Sequence, residues 1–182
     1  MDLRYPIGQF DWNSRPAPET WPALMDQLAA APSALRDAVR DLDDKQLDTP
    51  YRPEGWTVRQ LVHHLADSHM NMYIRLRFAL TEEQPTIKPY DEKLWAELSD
   101  ARTSPIEPSL QLMESMHQRW VALLRTLSPN DLSRAFFHPE LGLVHLDTTM
   151  GAYAWHARHH TTQINALRDR MGWKTVARQA AT

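Results

Sequence analysis

Two histidines four residues apart, His156 and His160, sit in a proline-free stretch between Asp147 and Gly172. On an α-helix that spacing projects both side chains from one face, one turn apart. Each imidazole nitrogen needs to lie ~2.0–2.1 Å from a divalent ion, so such a pair can share one. At ~100° per residue the same face carries Thr149, Ala152, Tyr153, Gln163, Ile164, Leu167 and Met171, an inward stripe, while Arg158 falls opposite. A second stretch repeats the logic. Val58, Leu61, Leu65, Met72, Leu76 and Ala79 form an apolar stripe with His64 at its edge, and Gln60, Asp67, Asn71 and Arg75 continue that flank. A polar flank bordering an apolar stripe predicts a cavity, with His64 as the third ligand from a facing helix.

Three neutral imidazoles with an open fourth position form a catalytic pattern of metal site. A metal held so can lower the pKa of water to ~7 for hydrolysis. The same charge can instead deprotonate a thiol and hold the thiolate for attack. Asp67, one turn beyond His64, is the sole carboxylate candidate for acid–base work. Asn71 and Arg75 follow on that flank. Arg75 suits an anionic substrate group, because guanidinium pairs bidentately with carboxylate; its ordinary reading is a surface charge. His63 and His159 point away from the shared direction, and His69 reads as structural. His117, His138 and His145 have no partner that spacing identifies. A metal-binding interaction protein without turnover is the competing class.

The elements that must position these groups follow from periodicity and breakers. Tyr5, Ile7, Phe10 and Trp12 argue that residues 1–18, punctuated by Pro6, Gly8, Pro16 and Pro18, form an irregular arm packed on the body. Leu24, Leu28, Leu35, Val39 and Leu42 predict a helix from Glu19 to Asp43, kinked or split at Pro32. Thr57 and Gln60 form a capping box that opens a helix to Leu80. A short helix over Tyr90–Leu98 and a long one over Glu107–Leu127 follow. His138–Leu146 reads as a loop with a short extended piece. Asp147 or Thr148 caps the last long helix, and Gly172 closes it. The sum is an all-α bundle in one domain, 1–182.

Composition narrows the rest. The 182 residues, 42% hydrophobic with 7 Trp and 5 Tyr, can bury a core, and the net charge of -3 offers no nucleic-acid surface. With no cysteine, disulfides and thiolate ligands are excluded. No apolar run approaches the ~18 residues of a membrane span, and the N-terminus lacks a signal-peptide pattern. The expectation is a cytoplasmic protein.

The sequence Gln46-Leu47-Asp48-Thr49-Pro50-Tyr51-Arg52, followed by Gly55-Trp56-Thr57-Val58-Arg59-Gln60-Leu61-Val62-His63-His64-Leu65-Ala66-Asp67-Ser68-His69, closely resembles YfiT-like proteins of the DinB/YfiT superfamily. Tyr5-Pro6-Ile7-Gly8, Pro89-Tyr90-Asp91-Glu92-Lys93, Trp155-His156 and Arg170-Met171-Gly172-Trp173 extend the likeness almost end to end. The resemblance implies a four-helix bundle, ligands at His64, His156 and His160, and one Zn2+ or Ni2+ ion. It also implies a homodimer acting as a metal-dependent hydrolase on a small-molecule substrate. The superfamily also contains S-transferases that use low-molecular-weight thiols such as bacillithiol. Its frequent motif HxxHHRGQ appears here with Thr161-Thr162 in place of Arg-Gly, while Gln163 remains to stand behind the ligands.

Overall fold

The computed structural model describes residues 2–173; Met1 and residues 174–182, part of the expected domain, lie outside the described residues. Four long helices make the body: α1 (Trp21–Ala38), α3 (Val58–Thr81), α6 (Glu107–Leu124) and α8 (Leu146–Met171). Short helices fill the connections: α2 (Asp44–Leu47), α4 (Glu92–Ala96), α5 (Ser99–Thr103) and α7 (Pro129–Leu132). A hairpin of β1 (Ala135–His138) and β2 (Gly142–His145) leads into α8, pairing Phe136 with Val144.

The long helices do not follow one another around the bundle. α1 packs on α6 and α8, and α3 packs on the same two. So α1 stands diagonal to α3, and α6 to α8. Connections that cross the end of a bundle must be long, which is why short helices and a hairpin occupy them. α3 and α8, the two helices with the chemistry, are neighbours.

The capping box at Thr57 forms as expected: Gln60 N–H donates to Thr57 Oγ1 at 3.1 Å, and Thr57 N–H donates to Gln60 Oε1 at 2.9 Å. Gly172 closes α8 with φ 67°. The start of α8 corrects the expectation. Neither Asp147 nor Thr148 caps it; the helix begins at Leu146, directly off β2, with no side-chain cap. The hairpin fixes the entry instead, and the Asp147 carboxylate pairs with Arg15 of the arm. Met171 is not on the buried stripe: it is 53% exposed, one turn past Leu167 at the bundle's end.

α1 ends at Ala38 rather than Asp43, because Asp43 caps α2 with Gln46 in a second capping box. Pro32 neither ends nor splits α1. A proline inside a helix removes the amide that would bond the carbonyl four residues back. Here that carbonyl belongs to Leu28, and it has found another donor. The short helix expected over Tyr90–Leu98 forms as α4, a second one, α5, follows it unexpected, and α6 stops three residues short of Leu127. β2 lies inside the His138–Leu146 stretch where an extended piece was expected, whereas β1 precedes it and was not expected.

The arm lies along α8. Phe10 meets Trp155 with ring centroids 6.1 Å apart, and the Arg4 carbonyl accepts from Gln163 at 2.8 Å. Ile7 and Trp12, expected to pack, remain 38% and 44% exposed. The core divides in two. One apolar cluster holds Leu61, Leu65, Ala66, Met113 and Met116; the other holds Leu28, Met72, Leu76, Trp120 and Leu124. Along α3 and α6, His69 and His117 fall between the two.

Candidate metal centre

His64 from α3 and His156 and His160 from α8 converge. His156 Nε2 lies 3.2 Å from His64 Nε2 and 3.1 Å from His160 Nε2. Imidazole nitrogens ~2.0–2.1 Å from one tetrahedral ion stand about 3.3 Å from each other. The observed separations match that edge. Burial holds the imidazoles neutral: His64 is pushed down to about 4, and His156 and His160 fall well below the ordinary imidazole value, helped by their mutual repulsion when charged. Their lone pairs are therefore free at neutral pH. Among the described residues, these three form the group of His and acidic side chains close enough to hold an ion.

Each ring is oriented by something behind it. His160 Nδ1–H donates to Gln163 Oε1 at 2.8 Å, and Gln163 in turn donates to the Arg4 carbonyl and to His159 Nε2 at 3.0 Å. His64 is held by packing, its ring 4.7 Å from that of Trp56. His156 is held by a longer device. His117 Nδ1 lies 2.7 Å from the Leu28 carbonyl, which can only accept, so that nitrogen carries the proton. Neutral His117 then accepts at Nε2 from His69 Nδ1–H, 2.9 Å away. His69 in turn accepts at Nε2 from His156 Nδ1–H at 3.3 Å. The lone pair of His156 is thereby left on Nε2, where the other two ligands meet. This string runs α8, α3, α6, α1, touching every long helix once. It ends on the carbonyl that Pro32 leaves unbonded within α1.

An open pocket of about 350 Å³ reaches the ligand nitrogens, walled by Trp56, Ser68, Arg75, Tyr90 and His138. Arg75 is 9% exposed and belongs to the pocket, not to the surface. Burial pushes the phenols of Tyr90 and Tyr153 up, keeping both protonated as donors. Two expected site residues are not brought to the pocket wall. Asp67 stands near Asp100, its carboxyl pushed up to about 6 by burial and then by that neighbour. Asn71 donates to the Asp67 carbonyl at 2.9 Å.

His63 points away as expected, between Ser109 and Ser104. His69 is more than structural filling, since it hydrogen-bonds His156 of the converging triad. His117, without a partner by spacing, has two, and His138 reaches the pocket from the hairpin. His145 bonds the Ser133 carbonyl. Only tertiary packing sets those contacts. The single hint in the sequence was Pro32, which announces a free carbonyl at Leu28.

The family model of the DinB superfamily matches residues 27–164. The chain belongs to the DinB superfamily. A DinB relative from Bacillus mycoides (strain KBAB4) is 52% identical over 94% of this chain and 99% of its own length. One from Bacillus cereus (strain 03BB102) is 53% identical over the same shares. Both are named "Putative metal-dependent hydrolase". The solved DinB structure of YfiT from Bacillus subtilis, described in similar terms and as having an unusual four-helix bundle topology, superposes with a TM-score of 0.92. It shares 47% identity and covers 96% of this chain and all of its own. The diagonal placement of α1 against α3 and of α6 against α8 seen here gives that description physical content.

Proposed function

We propose that this protein is a metal-dependent hydrolase whose divalent ion is held by Nε2 of His64, His156 and His160. The observation that carries the reading is the convergence of three neutral imidazole nitrogens at tetrahedral spacing on the wall of an open pocket. A bound ion would supply Lewis acidity, polarising a carbonyl and lowering the pKa of water. The chain's own groups do the rest. Gln163 and His69 fix the ligand tautomers, Trp56 limits solvent at His64, and the hydroxyls of Ser68 and Tyr90 offer hydrogen bonds to substrate. Zinc or nickel suits an all-imidazole set. The reading extends to one domain, a homodimer and a cytoplasmic setting, which rest on the resemblance and the sequence.

A thiol S-transferase is the second reading, favoured by one observation. Arg75 is a buried cation without a carboxylate partner among the described residues, which suits a carboxylate-bearing thiol such as bacillithiol.

Metal analysis of wild type and His64→Ala tests the centre. One ion per chain is expected, with loss in the variant; full retention in His64→Ala would remove His64 from the ligand set. Chelation should abolish cleavage of 4-nitrophenyl esters, and zinc should restore it. A thiolate charge-transfer band on adding thiol to cobalt-substituted protein, without ester cleavage, would move the assignment to the transferase.

A further inference from the structure

The inference rests on the proposed hydrolase site and names its substrate class. Arg75 is nine-tenths buried, yet its hydrogen bonding is almost empty. Nη2 donates to the Lys88 carbonyl at 3.2 Å, and Nε–H is buried without a partner. A guanidinium carries five N–H donors, so four lack a protein acceptor among the described residues. No carboxylate lies within 4.0 Å of it among the described residues; every other strongly buried arginine is engaged, Arg59 by Asp44 and Asp48, and Arg168 by the Ala38 and Arg40 carbonyls. A buried charge left without a counter-ion is costly, and proteins keep one where a ligand completes it.

The position says what that ligand is. Arg75 and the three ligand histidines line the same pocket, with Ser68 and Tyr90 between. Arg75 follows His64 by eleven residues on α3, about three turns, so the two ends of the pocket are separated along one helix. His138, also in the wall, stays neutral: burial lowers its pKa, and the charge of Arg75 lowers it further. The only carboxylates in the wall among the described residues, Glu92 and Glu140, are exposed, and there they oppose a doubly charged group more than a single one.

We propose that Arg75 is the recognition end of the metal pocket, and that the substrate is a monoanionic carboxylate whose scissile acyl group lies at the other end, by the histidines. Hydrolysis of such an ester or amide adds water across the C–O or C–N bond, leaving a second carboxylate with either an alcohol and a released proton or an amine that takes up that proton as ammonium. Two readouts test this. Calorimetry on zinc-loaded protein compares succinate, glutarate and adipate with their diamides, in wild type, Arg75→Met and Arg75→Lys of equal zinc content. At least one diacid should bind ~10- to 100-fold more tightly than its diamide, the worth of a charge-assisted bond. Arg75→Met should erase the difference, and Arg75→Lys should restore part of it. Equal binding of every acid and amide by wild type would overturn the proposal even if the variants fail to fold. So would unchanged acid binding by folded Arg75→Met. The second readout is kcat/KM for mono(4-nitrophenyl) glutarate over 4-nitrophenyl butyrate, expected to favour the anion and to fall near one in Arg75→Met. A ratio near one in wild type would overturn the carboxylate end while sparing the hydrolase. Charge-selective binding with neither ester cleaved would do the reverse.

Discussion

At the scale of residues, the proposed ligands and the groups behind them were not equally legible. His64, His156 and His160 follow from 3.6-residue periodicity, because each helix face can be computed without knowing its neighbour. The partners of His156 cannot, since the register of α6 against α3 is a property of packing. The string behind His156 makes a prediction. Replacing His117 by Leu leaves His69 Nδ1–H buried without an acceptor, and the proton on His156 is no longer assigned to Nδ1. Loss of such outer groups typically costs 10- to 100-fold in metal affinity. Zinc affinity in competition with a chelating dye should fall by about that factor in His117→Leu, and an unchanged affinity would reduce the string to packing.

Among the elements, the capping box at Thr57 was read from the sequence, whereas those at Asp43 and Ser128 and the uncapped start of α8 were not. Thr57 and Gln60 are visible because the motif is local. The start of α8 is not, because a strand feeds it and no side chain needs to cap it. Helix length erred in the same way: apolar spacing ran on through Leu42 and hid the break before Asp43. The cap at Thr57 reaches further than its own helix, since Gln60 also donates to the Ala96 carbonyl at 2.7 Å and so ties α4 to α3. Thr57→Ala should cost about 1 kcal/mol of stability in denaturant titration. Gln60→Ala should exceed it, as it severs both the cap and the tie to α4; an equal or smaller loss would show that the tie carries nothing.

For the whole molecule, an ion at the proposed centre would couple metal binding to the stability of the bundle. The fold class was legible from four periodic stretches with long connections, whereas the diagonal order was not, because sequence spacing does not say which helices touch. An ion bound to the native state alone at a thousandfold excess over Kd adds about 4 kcal/mol. Exhaustive chelation should lower Tm, and an unmoved Tm would separate the site from the fold's support. Acid should act in the same direction on metal-free protein. Burial holds His117 at about 4, against ~6.5 unfolded. Its contribution is complete above pH ~6.5 and is lost as pH falls toward 4. Asp67, raised to about 6, works oppositely below pH 6, but the buried imidazoles outnumber it. Tm should therefore drop between pH 7 and 4.5; a flat profile would contradict the buried imidazoles. The string from His156 to Leu28 adds a clock to this picture. Its inner imidazole protons, on the fully buried His69 and His117, are walled in by the long helices, and no single helix can peel away without cutting it. Those protons reach solvent only when the whole bundle opens, so their nuclear magnetic resonance signals should persist in water and exchange at the rate of global unfolding.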